Sequence, residues 1–160
     1  MILKMDLGNL VGRAERVFRG EVVAVTEGTV SFGGTMLPTV TYRLKVIEAF
    51  KGDYLVKEGQ SYTEITMLAP VKRAASGNIR AFSKIPPLPE LHVGQEYLLV
   101  STAPSSLGLS TTVGIGQGAF KIFLLDKTEM AANELNNLGL YDGPVAYARL
   151  AADIRALLGR

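Results

Sequence analysis

The sequence predicts a mainly β, β-rich α+β domain, and three observations carry that expectation. From Val40 to Val46 apolar side chains fall at every second position (Val40, Tyr42, Leu44, Val46) with Thr41, Arg43 and Lys45 between them. That period of two belongs to a strand with one wet and one buried face. Further stretches rich in β-branched and aromatic residues are set off by glycine and proline, with helical spacing only near the two ends. Helices segregated to the ends of hairpin-connected strands argue against βαβ units.

The chain has 160 residues, is 48% apolar and 20% charged, and carries a net charge of +2. One domain spanning 1–160 is expected, with an OB-like barrel over 7–125 and a C-terminal helix over 141–159 packed on it. The small charge excess provides no strong field toward nucleic acid or anionic surfaces. The absence of cysteine excludes disulfides, thiolate chemistry and cysteine-ligated zinc or iron–sulfur centres. No apolar run reaches the length of a membrane span.

Leu7, Leu10, Val11 and Ala14 fit a short amphipathic helix, with Asp6 placed to cap it. Val17 to Thr26 reads as the first strand, in which Gly20 marks a bulge or bend. Gly28, Gly33, Gly34 and Pro38 punctuate a hairpin connection over 27–38, with room for an extra short strand around Val30 to Phe32. The long strand from Thr39 ends at Gly52, and Ser61 to Leu68 forms the next. Leu91 to Ser101 turns into a buried strand, followed by short segments at Ser110 to Gly114 and Ala119 to Leu125. The 126–137 stretch suits a short helix or a polar excursion. Tyr141-Asp-Gly-Pro144 suits a helix start, with Leu150, Ala151, Ile154, Leu157 and Leu158 as its stripe. The total is five to seven strands. Curling at Gly20 and at Gly114 to Gly118 favours a small, partly closed Greek-key barrel of the OB type, with alternate residues from Val40 to Phe50 lining its inside.

No reaction centre stands out. Gly114-Ile-Gly-Gln-Gly118 lacks the Lys-Ser/Thr of a phosphate loop and reads as a turn or a close backbone approach. His92, the single histidine, lies beside Val93-Gly94 with no nucleophile or carboxylate fixed by spacing; a hydrolase using it is the most distant reading. The acids form no Asp-x-Asp cluster or calcium loop, and only register would bring Glu48 beside Glu64. No cofactor or metal is implied.

The stretch from Ala69 to Glu90 differs in kind. It carries Lys72, Arg73, Arg80 and Lys84 with no acid before Glu90, plus Phe82 and four of the seven prolines. A connection this long inside a compact domain is usually functional or mobile. Lys72, Arg73, Arg80, Phe82 and Lys84 are therefore the expected partner-binding residues. With Arg43, Lys45, Tyr42 and Tyr62 they also suggest the alternative of a single-stranded nucleic-acid-binding OB domain. The near-balanced charge and the core periodicity of Tyr42 weigh against it.

The order Leu10-Val-Gly-Arg-Ala14, Val17-Phe-Arg-Gly-Glu-Val-Val-Ala-Val25, Thr41-Tyr-Arg-Leu-Lys-Val-Ile-Glu-Ala-Phe-Lys-Gly52, Val93-Gly-Gln-Glu-Tyr-Leu-Leu-Val100 and Gly114-Ile-Gly-Gln-Gly-Ala-Phe120 forms one pattern. It resembles uncharacterised bacterial exported proteins with an OB barrel like that of tissue inhibitors of metalloproteinases (TIMP) and netrins. The likeness runs from about Leu7 to Phe123. The inhibitors place an N-terminal cysteine on the protease metal, and this chain has none, so that activity does not transfer. The resemblance implies the fold and a periplasmic or extracellular location after loss of a leader upstream of Met1, with a cytoplasmic location as the alternative. The function expected is a non-catalytic binding or structural module that meets a protein or glycan partner through its loops.

Overall fold

The computed structural model describes residues 6–69, 91–104, 109–113, 118–138 and 140–159. It is mainly β, an antiparallel sheet of eight strands flanked by two helices. The elements in chain order are α1 (Leu7–Arg13), β1 (Arg16–Phe32), β2 (Thr35–Lys51), β3 (Leu55–Lys57), β4 (Gln60–Leu68), β5 (Glu96–Ser101), β6 (Ala119–Leu125), β7 (Thr128–Ala132), β8 (Val145–Ala146) and α2 (Tyr147–Leu157). The sheet runs β3-β4-β2-β1-β5-β6-β7-β8. Its two ends are not joined by a ladder. The segment 109–113 nevertheless touches both sides: Ser110 N–H donates to the Thr66 carbonyl at 2.7 Å, and Thr112 bridges to Ser101.

The first two strands form the hairpin that the sequence suggested, but each runs for 17 residues, so the strands take up most of the connection expected over 27–38. The reason is local. Gly33 and Gly34 take φ of +58° and +81°, the two left-handed positions of a tight turn whose twist matches that of the flanking strands. The strands therefore pair up to Phe32 and Thr35.

Register shifts interrupt this ladder at three places. Val23 on β1, and Ile47 and Phe50 on β2, have no partner opposite them. Such extra residues bend a strand and change which face its side chains meet. One of these shifts falls between Arg19 and Gly20, where the sequence marked a bulge or bend. Gly20 also meets a second need, since a Cβ there would come within 2.8 Å of the Phe18 ring.

The curled sheet has a core on each side. Phe18, Val22, Val40, Tyr42, Leu44, Val46, Ile65, Met67, Leu91, Tyr97, Leu99 and Ala119 fill the inner one. The outer one gathers Leu10, Val11, Val17, Leu98, Val100, Phe120 and Ile122 beneath Leu150, Ala151 and Ile154. The alternation from Val40 to Val46 does line the inside. Phe50, expected with them, lies in the outer core, because Ile47 and Phe50 shift the phase of β2. β5 is buried on both faces, which explains its unbroken apolar run Tyr97-Leu-Leu-Val100.

Asp6 caps α1 as expected, its carboxylate accepting from Asn9 N–H at 2.7 Å. The 126–137 stretch differs: β6 and β7 form a further hairpin through Asp126 and Lys127, both at positive φ. Pro144 precedes β8 rather than opening the helix, which begins at Tyr147. Gly118 makes the close backbone approach expected of the glycine-rich stretch; Gly114 and Gly116 lie outside the described residues.

A Cβ on Gly118 would stand 2.5 Å from the Val113 carbonyl oxygen, whereas one on Gly12 meets nothing within 4 Å. Gly118→Ala is expected to lose at least about 2 kcal/mol of stability by overpacking against fixed backbone. Gly12→Ala is expected to gain about 0.5 kcal/mol through helix propensity. Urea midpoints of the two variants check the opposite signs.

Candidate binding surface

The interior of the curled sheet is filled by side chains and closed at both mouths. At the lower mouth the Tyr54 ring packs edge-on against Phe18, centroids 5.4 Å apart. Its hydroxyl donates to the Lys51 carbonyl at 2.6 Å, with the Val17 carbonyl at 3.2 Å. Burial is the main reason its ionisation is pushed well above the ordinary tyrosine range. At the upper mouth the chain returns at Leu91 across the core, and its N–H donates to the Tyr42 hydroxyl at 3.3 Å. The next N–H, of His92, donates to the Tyr97 hydroxyl at 3.0 Å. Tyr42, a sequence candidate for base stacking, is thus a core residue.

Three places on the outer surface of the described residues gather the side chains that the sequence singled out. On the wet face of β2 and β4 the Arg43 guanidinium lies 4.9 Å above the centre of the Tyr62 ring. The register puts Glu64 opposite Arg43, and Glu21 opposite Lys45, so each cation of this face has an acid as its cross-strand neighbour. A recess of about 380 Å³ beside it is lined by Arg16, Asp53, Tyr54, Leu55, Thr63 and Glu64. Arg16 there donates to the Thr63 hydroxyl at 2.8 Å.

A second recess, of about 280 Å³, is formed by Leu91, His92, Tyr97, Ala119, Lys121, Ala132, Asn133 and Glu134. His92 is exposed on its rim, so the structure brings an imidazole, an ammonium and a carboxylate to one shallow site. Nothing in the spacing of His92, Lys121 and Glu134 could have shown this, because strand order alone brings them together. Among the described residues no three His, Asp or Glu side chains converge on a metal-sized site.

The third place is a polar cluster on the outer side of the sheet. Arg19, whose side chain is 11% exposed, donates to Glu96 at 2.8 Å and grips Glu129 with both terminal nitrogens at 3.0 and 2.5 Å. Its guanidinium also lies 4.5 Å over the Tyr147 ring. The Tyr147 hydroxyl donates to Glu48 at 2.6 Å, and Arg155 closes on the other oxygen of the same carboxylate. Glu48 is therefore committed to α2 and is not a partner of Glu64. This cluster clasps β1, β2, β5 and β7 to α2, and its bonds are internally satisfied.

Lys72, Arg73, Arg80, Phe82 and Lys84 lie outside the described residues. The described chain leaves at Ala69, whose N–H donates to the Pro38 carbonyl at 2.9 Å, and returns at Leu91 over Tyr42. Both points lie at the end of the sheet toward which β1 runs. No known protein family and no curated protein matches this sequence.

The hydrogen bonds from Arg19 hold the Glu129 carboxyl below its ordinary range, and they raise Arg19 in turn. A carboxyl depressed in the folded state contributes stability above its unfolded pKa, and that contribution is lost as pH falls through the folded value. Glu129→Gln is expected to make the decline of stability below about pH 4.3 shallower, with little change in its slope near neutrality. Urea titrations across this range check the sign.

Proposed function

We propose that the sheet is the Greek-key OB-type barrel of the TIMP and netrin-like domains, and that the protein is a non-catalytic binding module outside the cytoplasm. On this reading β1, β2, β4, β5 and the 109–113 segment are the five barrel strands. Support comes from the bonds that the 109–113 segment makes to Thr66 on one side and Ser101 on the other. The sequence resemblance carries the location.

The observation that favours a surface module is the side-chain-filled interior, closed by Tyr54 below and by Leu91 with Tyr42 and Tyr97 above. A barrel packed in this way has no lumen for a ligand, so recognition falls to its loops and outer face. The connecting stretch with Lys72, Arg73, Arg80, Phe82 and Lys84 meets a protein or glycan partner. Its four cations have no acid among them before Glu90, so the partner's contact surface is acidic.

The Arg43–Tyr62 stack on the wet face of β2 and β4 favours single-stranded nucleic acid as a second reading, since bases stack on such platforms. Glu64 and Glu21 beside it oppose a phosphate backbone.

Replacing Lys72, Arg73, Arg80, Phe82 and Lys84 together by serine is expected to abolish capture of the acidic protein or glycan while leaving the thermal midpoint almost unmoved. Capture that persists removes the connecting stretch from consideration. A binding constant for oligonucleotides that falls steeply with salt, by at least about tenfold over a fourfold rise, would select the nucleic-acid reading instead.

A further inference from the structure

Arg16 and Arg19 are the two arginines among the described residues that are partly buried. Arg19 is paired with two carboxylates. The Arg16 guanidinium has no carboxylate partner, and its one bond among the described residues runs from Nη1 to the Thr63 hydroxyl at 2.8 Å. A partly buried cation without a counter-ion is disfavoured, so its placement asks for a reason.

The surroundings of Arg16 hold it in place. Its stem lies against Gly52, where a Cβ would come within 2.8 Å of Arg16 Cγ. Thr63 stands opposite Leu44 in the inward row of β4 and is 4% exposed, so a buried hydroxyl anchors the guanidinium. Tyr54 and Leu55 form the apolar wall of the recess of about 380 Å³ in which Arg16 lies, and Asp53 and Glu64 bring two carboxylates to the same recess. Neither carboxylate forms an ion pair or a hydrogen bond among the described residues. Both signs of charge thus line one recess without closing on each other.

We propose that this recess binds a free amino acid with an apolar side chain, its carboxylate on Arg16, its ammonium on Asp53 or Glu64 and its side chain against Tyr54 and Leu55. The separated charges select a dipolar ligand. A bare anion would meet two carboxylates for one guanidinium, and a bare cation would leave Arg16 without a partner. The N–H donors that Thr63 leaves free on Arg16 suit the two oxygens of a carboxylate, the paired geometry that arginine holds best. The volume lies at the small end of the range of about 300–1,000 Å³ that small-molecule sites occupy. The inference does not depend on the partner of the connecting stretch.

In amide NMR spectra L-leucine is expected to shift the signals of Gly52, Asp53, Tyr54 and Thr63 saturably and to leave those of His92 and Lys121 unmoved. L-Leucinamide lacks the carboxylate and N-acetyl-L-leucine lacks the ammonium; each is expected to bind at least about tenfold more weakly. Arg16→Met, with a thermal midpoint near that of the wild type, is expected to weaken leucine binding by at least about tenfold. The double variant D53N/E64Q is expected to lose the preference for leucine over N-acetyl-L-leucine. The two analogues probe the wild-type chain, so they decide the outcome even where R16M does not fold. The proposal is overturned by the lack of saturable shifts with leucine, or by undiminished binding to R16M. Equal binding of N-acetyl-L-leucine overturns it too, and would assign the recess to the C-terminus of a peptide; equal binding of L-leucinamide would assign it to a cation.

Discussion

In the ladder between β1 and β2, Ile47 has no residue opposite it, and the two cores are divided by that mismatch. Above it Val40, Tyr42, Leu44 and Val46 point into the curl of the sheet; below it Glu48 turns outward to α2, and the further slip at Phe50 sends that ring into the outer core. A strict period of two would have carried Glu48 into the apolar interior, where an unpaired carboxylate is strongly disfavoured. The extra residue at Ile47 avoids that burial and also bends the strand, so one irregularity sets both the curvature and the attachment of the C-terminal helix.

With β2 arranged in this way, β5 becomes the shared wall. Tyr97 and Leu99 belong to the inner core, Leu98 and Val100 to the outer one, and all four are at most 5% exposed. The polar clasp around Arg19 lies across the same region. Its carboxylate partners keep contact with water, Glu96 at 35% and Glu129 at 46% side-chain exposure, so their attraction for the guanidinium is partly screened. The clasp adds modestly to stability. Its geometry matters more: two-point contact to Glu129 ties β1 to β7, while the stacking of Arg19 on Tyr147 and the bonds of Tyr147 and Arg155 to Glu48 hold α2 on the sheet.

Filling the interior has a consequence for recognition. Tyr54, Tyr42 and Tyr97 each present a ring to the core and a hydroxyl to backbone at a mouth of the curl. Their hydroxyls satisfy backbone groups that would otherwise be buried without partners. Among the described residues the surface left for other molecules is therefore peripheral, and it includes the Arg43–Tyr62 face, the His92 recess and the tips of the hairpins.

Local chemistry in the sequence was enough to determine the strands from Val40 to Val46 and Ser61 to Leu68, the doubly buried run of β5, the capped first helix and the stripe of the last one. Each rests on periodicity or on a single capping residue. The hairpin between the first two strands was equally local, but its length was not legible: Gly33-Gly34 read as one punctuation mark among several, because its meaning depends on both φ values being positive. Tertiary structure alone decided the slips at Val23, Ile47 and Phe50, the commitment of Glu48 to Tyr147 and Arg155, and the meeting of His92, Lys121 and Glu134. Bulges and cross-strand neighbours follow from how two distant segments align. Alignment is chosen by the packing of both cores together, so no window of sequence contains it.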